Sequence, residues 1–305
     1  MNKRPLIIIA GPTGVGKTES SIALAQKVGG EIISADSMQV YRMMDIGSAK
    51  ITKEEMCGVP HHLIDVLDPK EEFNVTVFQR LAKEAMEGIY ERGHIPIICG
   101  GTGFYIQSVL FDVDFTENSP DKTYREMLQK KAETEGAESV FALLKEIDPE
   151  SAEAIPMNNV KRVIRALEFY HDTGKKISVH NAEERAKESP FDYRYFVLFR
   201  DRSVLYDRID VRVDKMLEKG FLSEMKALYE YGVRPEMTSM QGLGYKQLLR
   251  YLMGNDTYEG AVEKTKMETR HFAKRQLTWF RREKDIIWVD MDKENLIDVY
   301  ETRPF

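Results

Sequence analysis

The chain has 305 residues, of which 42% are hydrophobic and 31% are charged, and its formal net charge is −6. This composition is typical of a soluble globular protein of about two domains. No apolar run approaches the ~20 residues of a membrane helix, and two cysteines, Cys57 and Cys99, exclude a disulfide framework. A strand pattern begins at residue 5, so we expect no signal peptide, no membrane association and a cytoplasmic location.

The first hundred residues alternate between strand and helix patterns. Short apolar strands are predicted at 5–10, 31–35, about 62–66 and 94–99, and helices at 17–28, 74–92 and 102–110. Wholly apolar strands suit a sheet that is covered on both faces. The alternation therefore predicts a parallel α/β sheet whose strands are joined by right-handed crossovers.

Residues 112–190 show helical patterns only. The clearest helix has apolar side chains at 160, 163, 164 and 167 and ends before Gly174. A strand at 193–200 then returns the chain to the sheet. Further helices are predicted at 203–219, 221–231, 243–253 and 257–283, the last with a capping box of Asp256 and Glu259, and a final strand at 286–289. We therefore predict a P-loop NTPase-like core, residues 1–114 plus 191–305, with an all-helical insertion domain at 115–190.

A phosphate-binding loop follows the first strand directly. Its residues match the pattern G-x-x-x-x-G-K-[ST]: Gly11, Pro12, Thr13, Gly14, Val15, Gly16, Lys17 and Thr18. Glycines let backbone N–H groups surround an anion, and the start of the next helix adds partial positive charge. Lys17 adds a full charge, and the Thr18 hydroxyl can hold Mg²⁺. The motif predicts a phosphorylated ligand but leaves open which one.

Polar side chains also stand where the second and fourth strands end, the usual place for a site in an open α/β sheet. Asp36 could be a general base, a partner of Mg²⁺ through water or a helix N-cap. Thr102 lies in a Gly-Gly-Thr-Gly turn, where glycine permits close backbone approach and the hydroxyl can donate or accept a hydrogen bond. A plain turn into the next helix would have the same sequence.

Basic residues cluster in the second half of the chain, although the net charge is negative. Residues 262–284 carry eight bases against three glutamates, which suits contact with a polyanion or a solvated helix face. Arg208 could reach a diphosphate or form a surface ion pair. Lys161, Arg162 and Arg165 could contact a phosphate backbone, and segment 241–246 combines glycines, Tyr245 and Lys246 in a way that suits base stacking or a packed loop.

Together these segments resemble the tRNA dimethylallyltransferases, also called tRNA isopentenyltransferases. The matching blocks run through almost the whole chain, at 11–18, 34–41, 44–50, 60–65, 100–105, 165–168, 242–246 and 273–281. One block alone would be a weak match, but this order of blocks is highly specific. The departures are mild, such as Ser48 where the family more often has threonine.

The resemblance implies transfer of a dimethylallyl group from its diphosphate to N6 of adenosine 37 in tRNA. The phosphate-binding loop, Mg²⁺ on Thr18 and Arg208 would hold the diphosphate; Asp36 would take the amine proton and Thr102 would hold the base edge. The tRNA contacts that it implies are Asp36, Ser37, Met38, Gln39, Thr102, Arg125, Lys161, Arg162, Arg165, Gln241, Gly242, Tyr245, Lys246, Lys274, Arg275 and Arg281. The insertion and the basic last helix would clasp the anticodon stem-loop, and no obligate protein partner is implied.

Two other functions are compatible with parts of the pattern. A P-loop kinase of small molecules would share the strand, the phosphate-binding loop and a helical lid, but it would leave segments 241–246 and 269–282 without a task. A non-catalytic RNA-binding module gated by a nucleotide would bind tRNA and form no product.

Overall fold

The computed structural model describes residues 3–115 and 123–305 and contains one six-stranded sheet. The strands, in chain order, are β1 Arg4–Ala10, β2 Gly30–Ser34, β3 His61–His62, β4 Ile95–Gly100, β5 Phe191–Phe199 and β6 Ile286–Asp290. They lie in the order β3-β2-β4-β1-β5-β6, and every neighbouring pair is parallel. The predicted parallel α/β fold is confirmed.

Thirteen helices lie within the described residues, and none of them is long and apolar enough to cross a membrane. They are α1 Lys17–Val28, α2 Val75–Glu91, α3 Gly103–Leu110, α4 Thr123–Glu135, α5 Ala137–Ile147, α6 Pro149–Ala154, α7 Val160–Thr173, α8 Ile177–Ala186, α9 Arg202–Glu218, α10 Phe221–Tyr231, α11 Tyr245–Leu252, α12 Tyr258–Phe280 and α13 Leu296–Glu301.

The chain forms two compact units. The first consists of Met1–Leu110 and Pro190–Phe305 and holds the whole sheet; the second, Phe111–Ser189, contains α4 to α8. The helical unit has a core of its own, which includes Leu128, Val140 and Leu167. Residues 116–122, which the sequence assigns to the insertion, lie outside the described residues.

The core of the first unit is built on the central strand β1. Residues 6–10 of β1 have no exposed surface, because β4 and β5 flank this strand and helices cover both faces of the sheet. Apolar side chains of β1 pack with α1 and α9, for example Ile7 and Ile9 with Leu24 and Ile209. Phe280 at the end of α12 is also fully buried.

Two local predictions are wrong. The third strand is not 62–66 but only two residues long, because Leu63 and Asp65 have φ angles of 62° and 57°. Left-handed backbone cannot continue a strand. The cap of α12 is Thr257, whose hydroxyl accepts the amide N–H of Gly260, whereas the expected capping residue Asp256 binds Lys264.

A buried carboxylate lies where β2 begins. This is the edge of the sheet opposite to the phosphate-binding loop, which follows the end of the parallel strand β1. Glu31 is 1% exposed and receives two hydrogen bonds from the Arg92 guanidinium, at 2.8 and 2.7 Å. Ring nitrogens of His62 and His94 each lie 2.7 Å from its oxygens. These bonds, led by Arg92, lower the pKa of Glu31 from 4.5 to about 2 although burial opposes the shift. The cluster ties α2 to β2, β3 and the start of β4.

We expect Glu31→Gln to lower the free energy of unfolding at pH 7 by about 3 kcal/mol, because Arg92 would lose its charge partner. The folded-state pKa of Glu31 lies below its unfolded value. Its stabilising effect is therefore complete above pH 4.5 and lost as the pH falls through about 2. Denaturant titrations across this range should show a loss of roughly 3 kcal/mol in the wild type that the variant lacks.

The matched control is Glu87→Gln, which breaks an ion pair with Arg4 between two half-exposed side chains. Such surface pairs contribute about 0–1 kcal/mol, so this variant should remain close to the wild type. Equal stability of Glu31→Gln and Glu87→Gln would contradict the role of the buried cluster.

Candidate active site

The phosphate-binding loop occupies residues 11–16, between β1 and α1. Gly11 has a φ of 145°, and a Cβ atom there would lie 2.5 Å from the carbonyl oxygen of Leu198 in β5. Only glycine fits this approach of the loop to the neighbouring strand. Gly16, the N-cap residue of α1, brings no side-chain oxygen to the first amides of the helix. Those N–H groups therefore remain available to an anion.

Cationic side chains cover the carbonyl side of this loop. The Lys17 ammonium donates to the carbonyl oxygens of Gly11 and Pro12 at 2.9 and 2.8 Å. The Arg208 Nε donates to the carbonyl oxygen of Gly14 at 2.8 Å, and Arg200 donates to that of Val15 at 3.0 Å. With its carbonyl groups engaged in this way, the loop can direct amide groups toward a ligand.

Lys17 lies in a poorly hydrated position. Burial lowers the pKa of its ammonium to about 8, and the nearby Arg212 adds to this shift, whereas Cys99 and Asp36 oppose it. An ammonium that is costly to charge gains most from an anionic ligand. The sequence motif indicates Lys17 but not Arg212, which stands one helical turn after Arg208 on α9.

Arg212 belongs to the same group of charges. Burial lowers the pKa of its guanidinium, while Asp36 opposes that shift and Arg208 adds to it. Arg212 interacts electrostatically with both Lys17 and Asp36, so it lies near the phosphate-binding loop and the turn after β2. The i, i+4 spacing of two arginines could have indicated it.

Asp36 directly follows β2 and shapes the turn that carries it. Its Oδ1 atom accepts the amide N–H groups of Met38 and Gln39, at 2.8 and 3.4 Å. Within the described residues, the other carboxylate oxygen, Oδ2, has no hydrogen bond. One oxygen thus fixes the turn, and the second can serve a ligand.

Strand register brings the three loops of the site together. Ala10 of β1 pairs with Gly100 of β4, and Cys99 of β4 pairs with Ser34 of β2. The loops that begin at Gly11, Ala35 and Gly101 therefore leave the same edge of the sheet side by side. Thr102 is partly buried in the third of these loops, directly before α3.

The residues of the turn after β2 that are expected to contact tRNA already form some contacts within the protein. Ser37 and Met38 are half-buried. The Gln39 side chain accepts the hydroxyl of Ser34 at 3.3 Å and donates to the carbonyl oxygens of Ser48 and Ala49 at 3.5 Å. Gln39 therefore ties this turn to the segment 44–50.

Of the two roles that the sequence left open for Tyr245, base stacking and packing within a loop, the structure shows packing. Its side chain is fully buried at the start of α11, in edge-to-face contact with Phe221, and its hydroxyl donates to Glu224 at 2.7 Å. The same glutamate accepts the amide N–H groups of residues 45–47 at 2.6–3.0 Å. Tyr245 thus supports a loop of the core and presents no ring to a base.

The neighbours of Tyr245 differ in exposure. Gly242 is buried, and a Cβ atom there would lie 2.8 Å from the sulfur of Met38. Gln241 and Lys246 are exposed, and Gln241 donates to the carbonyl oxygen of Pro235 at 3.1 Å. Within this segment only Gln241 and Lys246 offer side chains to a macromolecule.

A basic groove runs along α12. It has a volume of about 450 Å³ and is lined by His271, Lys274, Arg275, Thr278, Trp279 and Arg282. Lys274, Arg275 and Arg281 are exposed, as expected of side chains that contact a polyanion. The indole N–H of Trp279 is buried and has no hydrogen-bond partner among the described residues.

The predicted basic residues of the helical unit differ in how accessible they are to a ligand. Lys161 and Arg162 are exposed in the first turn of α7. Arg125 on α4 forms a two-point ion pair with Glu168, at 2.7 and 2.6 Å, and burial lowers the pKa of Arg165. Lys161 and Arg162 are therefore the more accessible cations of this group.

Known proteins resemble the chain over almost its whole length. A family model described as IPP transferase matches residues 39–283, and another described as isopentenyl transferase matches residues 4–72. A protein of Lachnoclostridium phytofermentans named tRNA dimethylallyltransferase is 57% identical over 292 residues, which are 96% of this chain and 93% of that protein.

Solved structures show the same relationship. A full-length tRNA isopentenylpyrophosphate transferase from Bacillus halodurans has 45% sequence identity and a TM-score of 0.74, with 98% of this chain and 94% of that chain covered. A eukaryotic dimethylallyltransferase, described as acting on tRNA, has 35% identity and a TM-score of 0.82, with 98% of this chain and 76% of that chain covered.

The affinity for inorganic pyrophosphate should depend on the protonation of Lys17. With a pKa of about 8, the ammonium is mostly charged at pH 7 and mostly neutral at pH 9. Calorimetric titrations should therefore show a loss of roughly tenfold in affinity over this range beyond the ligand's own ionisation. Lys17→Met should weaken binding at pH 7 by about 2 kcal/mol, and its remaining pH dependence reports the ligand alone.

Lys27→Met is the control, because Lys27 lies in the last turn of the same helix and pairs with Glu301. It should bind pyrophosphate as the wild type does at both pH values. Parallel pH profiles for the wild type and Lys17→Met would show that Lys17 does not meet the anion.

Proposed function

The chain belongs to the tRNA dimethylallyltransferase family, and from this membership we propose its donor, its acceptor atom and the roles of its site residues. It is an enzyme that modifies tRNA by prenyl transfer. The observation that carries the proposal is the strand register, which brings the phosphate-binding loop with Lys17 and the turn of Asp36 to one edge of the sheet. The small-molecule kinase considered above is set aside by the family membership. A tRNA substrate favours a cytoplasmic location.

The donor is dimethylallyl diphosphate, with its diphosphate in the phosphate-binding loop. Cleavage of an allylic C–O bond builds negative charge on the departing oxygen, so the catalyst must stabilise that charge. The loop amides, Lys17 and the terminal N–H groups of Arg208 supply positive charge on this side of the site. The Arg208 Nε is already held by the carbonyl oxygen of Gly14, which orients the guanidinium toward the loop.

Magnesium fits this site through the residue that the motif indicates. The Thr18 hydroxyl is exposed in the first turn of α1 and has no hydrogen bond among the described residues. Within the same part of the chain, no cluster of His, Cys, Asp or Glu could hold a metal ion by itself. Phosphate oxygens and water would complete the shell that Mg²⁺ prefers. When bound, the ion neutralises charge on the diphosphate.

Asp36 is the general base. The exocyclic N6 amine of adenosine 37 is a weak nucleophile, because its lone pair is shared with the ring. As N6 forms its bond to the allylic carbon and the C–O bond breaks, the free carboxylate oxygen of Asp36 takes the N6 proton. Diphosphate leaves with the electron pair of the C–O bond. Thr102, in the adjacent loop, holds the edge of the adenine.

The acceptor region is the anticodon stem-loop, bound by exposed cations. Lys274 and Arg275 on α12 and Arg281 just after it are exposed and can meet the phosphate backbone, as can Lys161 and Arg162 on α7. Adenosine 37 must leave its stack to reach Asp36, which costs a few kcal/mol in general and is offset by contacts in the pocket. Ser37 and Met38 stand beside Asp36 and would line that pocket.

The proposal is tested by incubating the protein with an unmodified anticodon stem-loop RNA and isotopically labelled dimethylallyl diphosphate. We expect one dimethylallyl group on N6 of adenosine 37, detected by mass spectrometry of the digested RNA. An RNA with guanosine at position 37 is the control and should remain unlabelled. Stoichiometric RNA binding without product would favour a non-catalytic binding module, and turnover of ATP on a small acceptor would favour a kinase.

Asp36→Asn should lower the single-turnover rate of prenyl transfer by about 10² to 10⁴. Asparagine retains Oδ1 as acceptor for the amides of Met38 and Gln39, so the turn should persist while the base is lost. Single-turnover assays would measure the rate, and filter binding would measure RNA affinity, which should remain within about threefold. Equal losses in rate and in RNA affinity would argue against proton transfer as the role of Asp36.

A further inference from the structure

Gln276 on α12 connects two loops of the active site, and the functional assignment above gives it no role. Its Oε1 atom accepts the amide N–H of Thr13 in the phosphate-binding loop at 3.0 Å. Its Nε2 atom donates to the carbonyl oxygen of Gly101, one residue before Thr102, at 2.9 Å. The side chain is 6% exposed, so both bonds form in a largely dry environment.

The helix that carries Gln276 is itself fixed to α9. Arg270 contacts both carboxylate oxygens of Asp210 at 2.6 Å, and Lys266 contacts Asp214 at 2.7 Å. Since α9 also supplies Arg208 to the carbonyl oxygen of Gly14, two packed helices hold the adjacent residues Thr13 and Gly14 of the same loop. Gln276 thus acts from a rigid support.

Gly101 is fitted to this contact. A Cβ atom at this position would lie 2.1 Å from Nε2 of Gln276 and 3.3 Å from the carbonyl oxygen of Gly11. The backbone of Gly101 has no positive φ, so close approach rather than chain geometry explains glycine here. Alanine at this position would displace the Gln276 amide from its bonds.

The chemistry of the contact suits a carboxamide. One side chain must accept from an N–H group and donate to a carbonyl group at the same time, and a carboxamide does so with two separate atoms, an oxygen that accepts and a nitrogen that donates. A carboxylate of the same length could accept from Thr13 but would oppose the carbonyl oxygen of Gly101. A methionine of similar length would do neither.

We propose that Gln276 is a positioning residue that fixes the separation between the loop holding the leaving diphosphate and the loop holding the acceptor adenine. The inference rests on the proposed function, because it concerns the alignment of those two substrates. Each loop keeps its own shape through other contacts, so loss of Gln276 alters their relative placement. A misplacement of about 1 Å in such an arrangement can cost 10²-fold in rate.

The test measures the single-turnover rate of transfer with both substrates saturating, together with the separate affinities for pyrophosphate and for the stem-loop RNA. Gln276→Met and Gln276→Glu should each lower the rate by about tenfold to hundredfold, while both affinities stay within about threefold. Glu263→Gln, on an exposed part of the same helix, is the control and should match the wild type.

A double-mutant cycle isolates the contact from general effects on folding. Gly101→Ala should lower the rate in the wild type by a similar factor, but it should cause little further loss when combined with Gln276→Met, because the bond is already absent. If Gln276→Met fails to fold, the comparison of Gly101→Ala with Glu263→Gln carries the test.

Three results would overturn the inference. These are a rate for Gln276→Met within twofold of the control, a fall of both affinities in parallel with the rate, and additive effects of Gly101→Ala and Gln276→Met. Failure of the proposed function is a different outcome, because wild-type protein would then bind pyrophosphate and RNA but transfer no dimethylallyl group.

Discussion

The active site depends on cations that engage the carbonyl side of one glycine-rich loop. Lys17, Arg200 and Arg208 donate to four carbonyl oxygens between residues 11 and 15. A peptide group whose oxygen is held in this way presents its N–H group elsewhere, and the start of α1 adds further uncapped amides. The loop thereby becomes a site for anions, and the placement of every other functional group is defined relative to it.

The parallel sheet gives this loop its neighbours. Pairing of β1 with β4 and of β4 with β2 brings the residues after all three strands to one edge, so Asp36 and Thr102 stand beside the phosphate-binding loop. Positive charge predominates there, because Lys17 and Arg212, whose pKa values are both lowered by burial, both interact electrostatically with the carboxylate of Asp36. Such an excess suits a reaction in which a diphosphate anion is formed, because the site is charged before that anion appears.

Partly or fully buried polar side chains hold the loops in place around this charge. Gln39 joins the turn of Asp36 to segment 44–50, Glu224 joins that segment to α10, and Gln276 joins the phosphate-binding loop to the loop of Thr102. Each of these side chains forms hydrogen bonds with backbone groups of the loops that it joins. These hydrogen bonds make the loops rigid. The catalytic groups on the loops therefore need little reorganisation when the substrates bind.

The sequence by itself determined the features that depend on neighbouring residues: the phosphate-binding loop, the periodicity of the core helices and the alternation that implies a parallel sheet. It also indicated Asp36, because a carboxylate after a buried strand must lie at the functional edge. Only the tertiary structure decided that Tyr245 is buried against Phe221, that Arg212 joins the charges of the site and that Gln276 reaches two loops. The physical reason is that periodicity tells which side chains share a face of a helix, whereas the packing of distant segments decides what that face meets.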